Sequence, residues 1–464
     1  MEAPGACCRN ISREGELLME KTRSSFTGKL GFVLAAAGSA VGLGNLWRFP
    51  YLAAQYGGGI FLLVYLVLVV TFGFALMAGE VALGRKTGLS AVGAFQVLNK
   101  KWKFLGYLTS IVPMIILPYY CVIGGWVIKY FSVFLTGQMA AAADASYFGN
   151  FAAGVFEPIG WLFVYLGITA VIVYLGVEKG VEKASRLMMP ALVVLTLCVT
   201  VFVLAQPGAL EGVLYYITPD FSRFSSGTVL AALGQLFYSM SLAMGIMITY
   251  GSYMKKDVNL EKSVSQIEIF DTGFAFLAGL MIVPAVTVFG DMSQMNTGPS
   301  LMFVTLPGVF AKMGPVLGSV VGALFFLLVL FAALTSSISL METVVSILQD
   351  KLKWGRHFTC MVVAVCAFLI GIPSSLGNGV WANVKLFGMD FLTFFDYISN
   401  SVLMPIVAFL TCLFIGWVMK PDMFVKEIRL SSQFHREKLF RVVIRYIAPV
   451  CIVAILISSV FQLV

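Results

Sequence analysis

The chain reads as an all-α integral membrane protein with eleven transmembrane helices, arranged as two inverted five-helix repeats whose broken members are helices 1 and 6. Three observations predict this: an excess of apolar side chains, basic clusters in every second loop, and two abnormal stretches at corresponding places in the chain. Of the 464 residues, 59% are hydrophobic and 12% charged, more apolar side chain than a soluble core can hide. No Pro/Ser-rich linker or polar half divides the sequence, so residues 23–464 are read as one domain. Residues 1–22 hold no apolar signal-like core and are read as a cytoplasmic N-terminal tail, the alternative being a start at Met19.

Each span needs about 20 mostly apolar residues, because in lipid only a helix or a closed barrel satisfies its own backbone. The expected spans are 27–55, 59–84, 104–135, 160–177, 184–205, 229–254, 265–290, 316–348, 357–374, 387–419 and 441–463. The first five form repeat one (27–205), the next five repeat two (229–419), and 441–463 is an extra helix. Lys and Arg are retained on the cytoplasmic side. Lys100, Lys101 and Lys103, then Lys179, Lys183 and Arg186, Lys255, Lys256 and Lys262, Lys351, Lys353 and Arg356, and Lys420 to Arg441 fill alternate loops. The intervening loops hold only Arg223, Lys312 and Lys385. The N-terminus is therefore expected in the cytoplasm and the C-terminus outside. The net charge of +8 sits in these loop clusters, with no aromatic-basic platform for stacking bases, so no nucleic-acid partner is expected. Six of the eight cysteines lie in apolar segments, where a small soft residue packs well, and Cys7 and Cys8 form no zinc spacing.

In the first span, three glycines crowd into Gly38-Ser-Ala-Val-Gly-Leu-Gly-Asn-Leu-Trp-Arg-Phe-Pro50, a run that a continuous mid-membrane helix disfavours. The sixth carries Tyr238-Ser-Met-Ser-Leu-Ala-Met-Gly245, where Ser239 and Ser241 can serve exposed backbone. Either stretch alone is also what close helix packing would use. Paired at matching places, they point to an inverted-repeat transporter whose half-helix ends bind cargo near the midplane. Loose carbonyls suit a hard cation such as sodium, and free N–H groups suit a carboxylate.

The run Ala40 to Pro50, the glycines Gly57, Gly58 and Gly59, Tyr119-Tyr-Cys-Val-Ile-Gly-Gly-Trp126, the sixth-span run and Ala332-Ala-Leu-Thr-Ser-Ser-Ile338 together resemble the neurotransmitter:sodium symporter family in its bacterial, eleven-helix form. The likeness extends from Arg23 to the tenth span. It implies alternating-access symport of sodium and hydrophobic amino acids, aromatic ones included, into the cell across a bacterial inner membrane. Two sodium ions and no organic cofactor are implied, with an amino acid and the lipid bilayer as partners.

Residue by residue, the resemblance places one sodium on the carbonyls of Gly38, Val41 and Ala332 and the hydroxyls of Thr335 and Ser336, although such hydroxyls also bond back to their own helix. The second would take the Ala40 carbonyl, Asn45, Ser239 and Asp271. An ionised carboxylate in a span costs on the order of 3 kcal/mol without a partner; sodium would be that partner, the alternative being a side chain that reaches toward loop lysines. Chloride-dependent relatives have asparagine at this place and serine one turn later, where this chain has Ala275, while Tyr65, Gln235 and Ser239 match the other chloride ligands. The fixed charge of Asp271 is therefore expected to replace chloride.

The substrate carboxylate would sit on the Leu43 and Gly44 N–H groups and the Tyr120 hydroxyl. Gly42 stands where amine-handling relatives have aspartate, so amines are not expected. Ile116, Tyr238, Ser241, Met244, Ser336 and Leu340 would line a mostly apolar side-chain pocket, with Ala40 and Ser239 at its edge. Arg48 with Asp396 would form the outer gate, Asp390 being a nearby rival, with Tyr120 and Tyr238 closing over the ligand. Arg23 and Phe26 with Asp350 would latch the inner side. Gly180 and Pro190 match a motif that unwinds at the inner sodium site, though alone they mark a turn. An enzyme is not expected: the two histidines, His357 and His435, lie in loops, and no nucleophile elbow or zinc-hydrolase motif occurs. A proton-coupled carrier of the same fold and a non-transporting amino acid sensor remain as alternatives.

Overall fold

A computed structural model describes residues 25–290 and 298–461, and all the regular elements among them are helices. The apolar runs become α1 (Lys29–Ala40), α2 (Gly44–Gln55), α3 (Gly59–Thr87), α4 (Lys100–Leu135), α5 (Phe156–Tyr174) and α6 (Val177–Leu204). After a break come α7 (Ser226–Ser239), α8 (Ile246–Ser252), α9 (Leu260–Phe289), α10 (Pro315–Leu352), α11 (Arg356–Leu376), α12 (Phe391–Val418) and α13 (Glu437–Ser458). Local signals set the ends. A Ser225–Thr228 capping box opens α7 and the Asn259 side chain caps α9, while Gly88 closes α3 in the left-handed conformation.

Nine helices among the described residues are long and apolar enough to cross a membrane, and α1 with α2, bent by 52°, makes a tenth span. The expected span at 229–254 is instead two short helices, α7 and α8, parted by residues 240–245. Its polar middle cannot sustain the helix ladder, so length alone does not count it as an eleventh. The chain is thus a multi-pass membrane protein. Apolar side chains such as Val171, Val201, Leu369 and Val450 point outward, as a lipid-facing surface requires. α1 sits inside a ring of α6, α9 and α10, α4 runs along α10 and α5, and α8 packs against α3. Both broken segments are therefore walled off from lipid by intact helices.

Candidate functional site

The two breaks face each other. At the first, Val41 leaves the helix in an extended conformation, and the Asn45 side chain accepts from the Gly42 N–H at 3.1 Å. At the second, Ser241 and Ala243 hold positive φ angles of 53° and 61°, a conformation that costs non-glycine residues about 1–2 kcal/mol. Contacts across the gap hold them there. Ser241 Oγ donates to the Ser39 carbonyl at 2.9 Å, and Ser39 Oγ donates to Ser241 Oγ at 3.1 Å. The Ala243 N–H donates to Glu80 Oε1 at 2.9 Å.

Where α1 meets α10, a Cβ on Gly38 would sit 3.2 Å from Thr335 Cβ, and one on Gly42 would lie 2.7 Å from Ser336 Oγ. Only glycine lets the helices approach this closely. Thr335 Oγ1 donates back to Phe331 and Ala332, and Ser336 Oγ donates to Ala332 at 3.2 Å and Ser39 at 3.3 Å. Donating in this way leaves hydroxyl lone pairs free, so the uncharged oxygen set is compatible with a small hard cation.

Asp271, fully buried in α9, gathers donors from three other elements. Asn45 Nδ2 lies 2.8 Å and Ser239 Oγ 2.7 Å from Oδ1, and Tyr65 Oη lies 3.2 Å from Oδ2. Such donors stabilise an ionised carboxylate where water cannot reach it. The structure brings Asn45, Ser239 and Asp271 together as the sequence implies, and turns Asp271 inward, away from the loop lysines. Gln235 points its amide at the Gly44 carbonyl, 3.2 Å away, and leaves its own Oε1 without a partner.

Beside this cluster is a small cavity lined by Ala40, Gly42, Leu43, Gly44, Ile116, Tyr120, Tyr238, Ser241, Met244, Ser336 and Leu340, all of them expected from the sequence. Ser239, also expected, is turned to Asp271 instead. The Tyr120 hydroxyl is buried and forms no well-aligned hydrogen bond, although the Leu43 N–H and the Ser336 hydroxyl lie near it. A buried, unpaired hydroxyl at a cavity is what a polar ligand head would satisfy. The Tyr238 ring packs so closely on Gly44 that a Cβ there would fall 2.3 Å from it.

Tyr238 and Asn400 border this cavity and also a larger vestibule of about 270 Å³ that reaches Arg48. The expected Arg48–Asp396 pair is not formed. Asp396 instead accepts from Tyr119 Oη at 3.2 Å and Asn400 Nδ2 at 2.7 Å, while the Arg48 guanidinium lies 5.6 Å from the Tyr238 ring centroid. Asn400, one turn beyond Asp396 on α12, takes the place given to the arginine, and nothing in the sequence pattern singled it out. Asp390 is also accounted for: it caps α12 through Thr393.

At the opposite end of α1, Phe26 is buried edge-on to Phe32, Tyr250 and Tyr253, and its N–H donates to the Tyr253 carbonyl at 3.2 Å. Asp350 accepts from the N–H and Oγ of Ser90 at 2.8 and 2.6 Å, and Arg23 lies outside the described residues. Gly180 sits in a widened helical turn, Val177–Glu182, and Pro190 lies within α6. Of the buried carboxylates that escaped sequence reasoning, two bear on the broken segments. Glu80 carries the strained second break, and Glu182 accepts from the Thr27 N–H at 2.9 Å just below α1. The signal was an ionisable residue in or beside an apolar span; their partners lie 163 and 155 residues away.

Comparison with known proteins agrees with this geometry. The model of the Sodium:neurotransmitter symporter family matches residues 23–150 and 156–464. The uncharacterized sodium-dependent transporter YhdH of Bacillus subtilis is 34% identical over 452 residues, covering 95% of this chain and 98% of the relative. An uncharacterized sodium-dependent transporter of Haemophilus influenzae is 32% identical over 457 residues, covering 95% and 99%. The crystal structure of MhsT in complex with L-phenylalanine superimposes with a TM-score of 0.85 at 38% identity, over 94% of this chain and 100% of MhsT.

Proposed function

This chain belongs to the sodium:neurotransmitter symporter family, and on that premise we propose that it carries hydrophobic amino acids, aromatic ones included, into the cell with sodium and without chloride. Sodium-coupled transport follows from the family itself; the substrate, the anion independence and the direction are our reading. The single observation that carries it is the cavity between the two breaks. One wall offers the orphan Tyr120 hydroxyl, and the rest is chiefly Ile116, Met244, Leu340 and Tyr238. A carboxylate would occupy the polar end beside the α2 N-terminus, and an apolar side chain the remainder. The phenylalanine bound by MhsT supports the same class. Met244, an unbranched thioether, can move aside for large rings.

Thr335 and Ser336 with the α1 carbonyls would hold one sodium, and Asn45, Ser239 and Asp271 the other. The three hydrogen bonds that converge on Asp271 support a fixed anion at the place that the family resemblance gives to chloride. Sodium there would have a full counter-charge in a dry site. In this reading the basic loops face the cytoplasm of a bacterial inner membrane, with the vestibule at Arg48 opening outward.

The test is uptake of radiolabelled tryptophan and leucine into proteoliposomes under an inward sodium gradient, with potassium as control and gluconate as the only anion. Sodium-driven accumulation is expected. Uptake that appears only when chloride is restored overturns the role given to Asp271, and uptake driven by protons alone overturns the sodium sites.

A further inference from the structure

We propose that the basic ends of α4 and α10 together bind the headgroup of an anionic phospholipid. Lys103 Nζ of α4 lies 5.4 Å, and Lys351 Nζ of α10 5.6 Å, from the centroid of the same ring, that of Tyr107. The Tyr107 hydroxyl and ring attract each ammonium, but the two ammonium groups repel each other. Neither forms an ion pair among the described residues. The neighbouring Asp350 directs a carboxylate oxygen to Ser90. Lys100 and Lys101 add charge at the same end of α4.

Below these lysines, Phe104, Tyr107 and Ile111 are exposed. Their spacing of three and four residues puts them on one stripe of the helix. Trp102 stacks toward Phe104 at 5.6 Å, an aromatic pair of the kind that favours the headgroup level. A ligand anionic at one end and apolar along the other satisfies both halves of this surface, whereas a free phosphate would leave the apolar stripe unused. Loop charge assigns this end to the cytoplasmic leaflet, where anionic lipids concentrate, and basic pockets between helices there suit such headgroups.

Native mass spectrometry of the protein, released from mixed micelles with equal phosphatidylglycerol and phosphatidylcholine, tests this. The wild-type chain is expected to retain phosphatidylglycerol preferentially. Lys103→Gln/Lys351→Gln is expected to weaken that retention roughly 30-fold, from about fivefold per lysine, while Lys312→Gln at the other end leaves it unchanged. A sodium-raised melting temperature in both proteins reports an intact fold. If the double variant is not recovered, Lys351→Gln alone should weaken retention about fivefold. Undiminished phosphatidylglycerol retention overturns the site. Complete displacement of the lipid by millimolar inorganic phosphate also overturns it, and identifies a free-anion site instead.

Discussion

Two side chains concentrate the chemistry at the scale of the residue. Asp271 is a buried carboxylate whose hydrogen-bond partners come from α2, α3 and α7. Replacing it with asparagine keeps the shape and removes the charge. In Asp271→Asn, chloride-free sodium-driven uptake should fall about 100-fold, the effect of losing on the order of 3 kcal/mol of charge stabilisation, and added chloride should restore part of it. Undiminished uptake in gluconate would show that the carboxylate does not act as the counter-anion. Tyr120 has no well-aligned protein partner for its hydroxyl. Tyr120→Phe should therefore leave the fold unchanged and weaken amino acid binding about tenfold to a hundredfold, the worth of a hydrogen bond to a charged group. An unaltered Kd, measured by competition with labelled ligand in saturating sodium, would remove Tyr120 from the site.

The element that decides function is the broken helix, and its two examples are built differently. The first break follows from glycines, which let α1 approach α10 at Gly38 and Gly42. The second has glycine only at its end, Gly245, and forces Ser241 and Ala243 into the left-handed region. Tertiary contacts must maintain it: Ser39 holds Ser241, and Glu80 holds the Ala243 N–H. Ala243→Gly should raise the melting temperature in detergent, corresponding to a gain of up to about 1 kcal/mol, because glycine relieves the positive φ. Ala243→Val should lower it, since a branched side chain resists that conformation. If the two variants melt alike, the break is not strained. Glu80→Ala should abolish uptake while sodium still binds at Thr335 and Ser336, seen as retained sodium-dependent thermal stabilisation.

Across the whole molecule, the bundle is tied at its basic end by buried ion pairs that the sequence pattern does not announce. Arg85 at the end of α3 donates to Glu427 Oε1 at 2.9 Å, with its side chain fully buried, and to the Val258 carbonyl at 2.9 Å. Arg356 pairs with the fully buried Glu342, which also accepts from Tyr253 Oη at 2.8 Å. A buried arginine left without its acid costs about 3–5 kcal/mol. Glu427→Gln should therefore lower the melting temperature sharply, and far more than a change at the exposed pair of Arg223 and Asp220. Equal effects at the two sites would show that the buried pair contributes no more than a surface one.

The sequence by itself determined the membrane class, the placement of most spans and the site of the breaks. Hydropathy, loop charge and glycine crowding are local quantities that do not depend on partners. The cavity-lining residues, Gly42, Tyr120, Tyr238 and Ser336 among them, came to hand only through the resemblance of their runs to the symporter family. Only the tertiary structure decided which oxygen meets which donor. It set Asn400 in the place expected for Arg48 and gave Glu80 the task of holding a strained turn 163 residues away. Such choices depend on side-chain placement to within a fraction of an ångström, which packing fixes and composition does not.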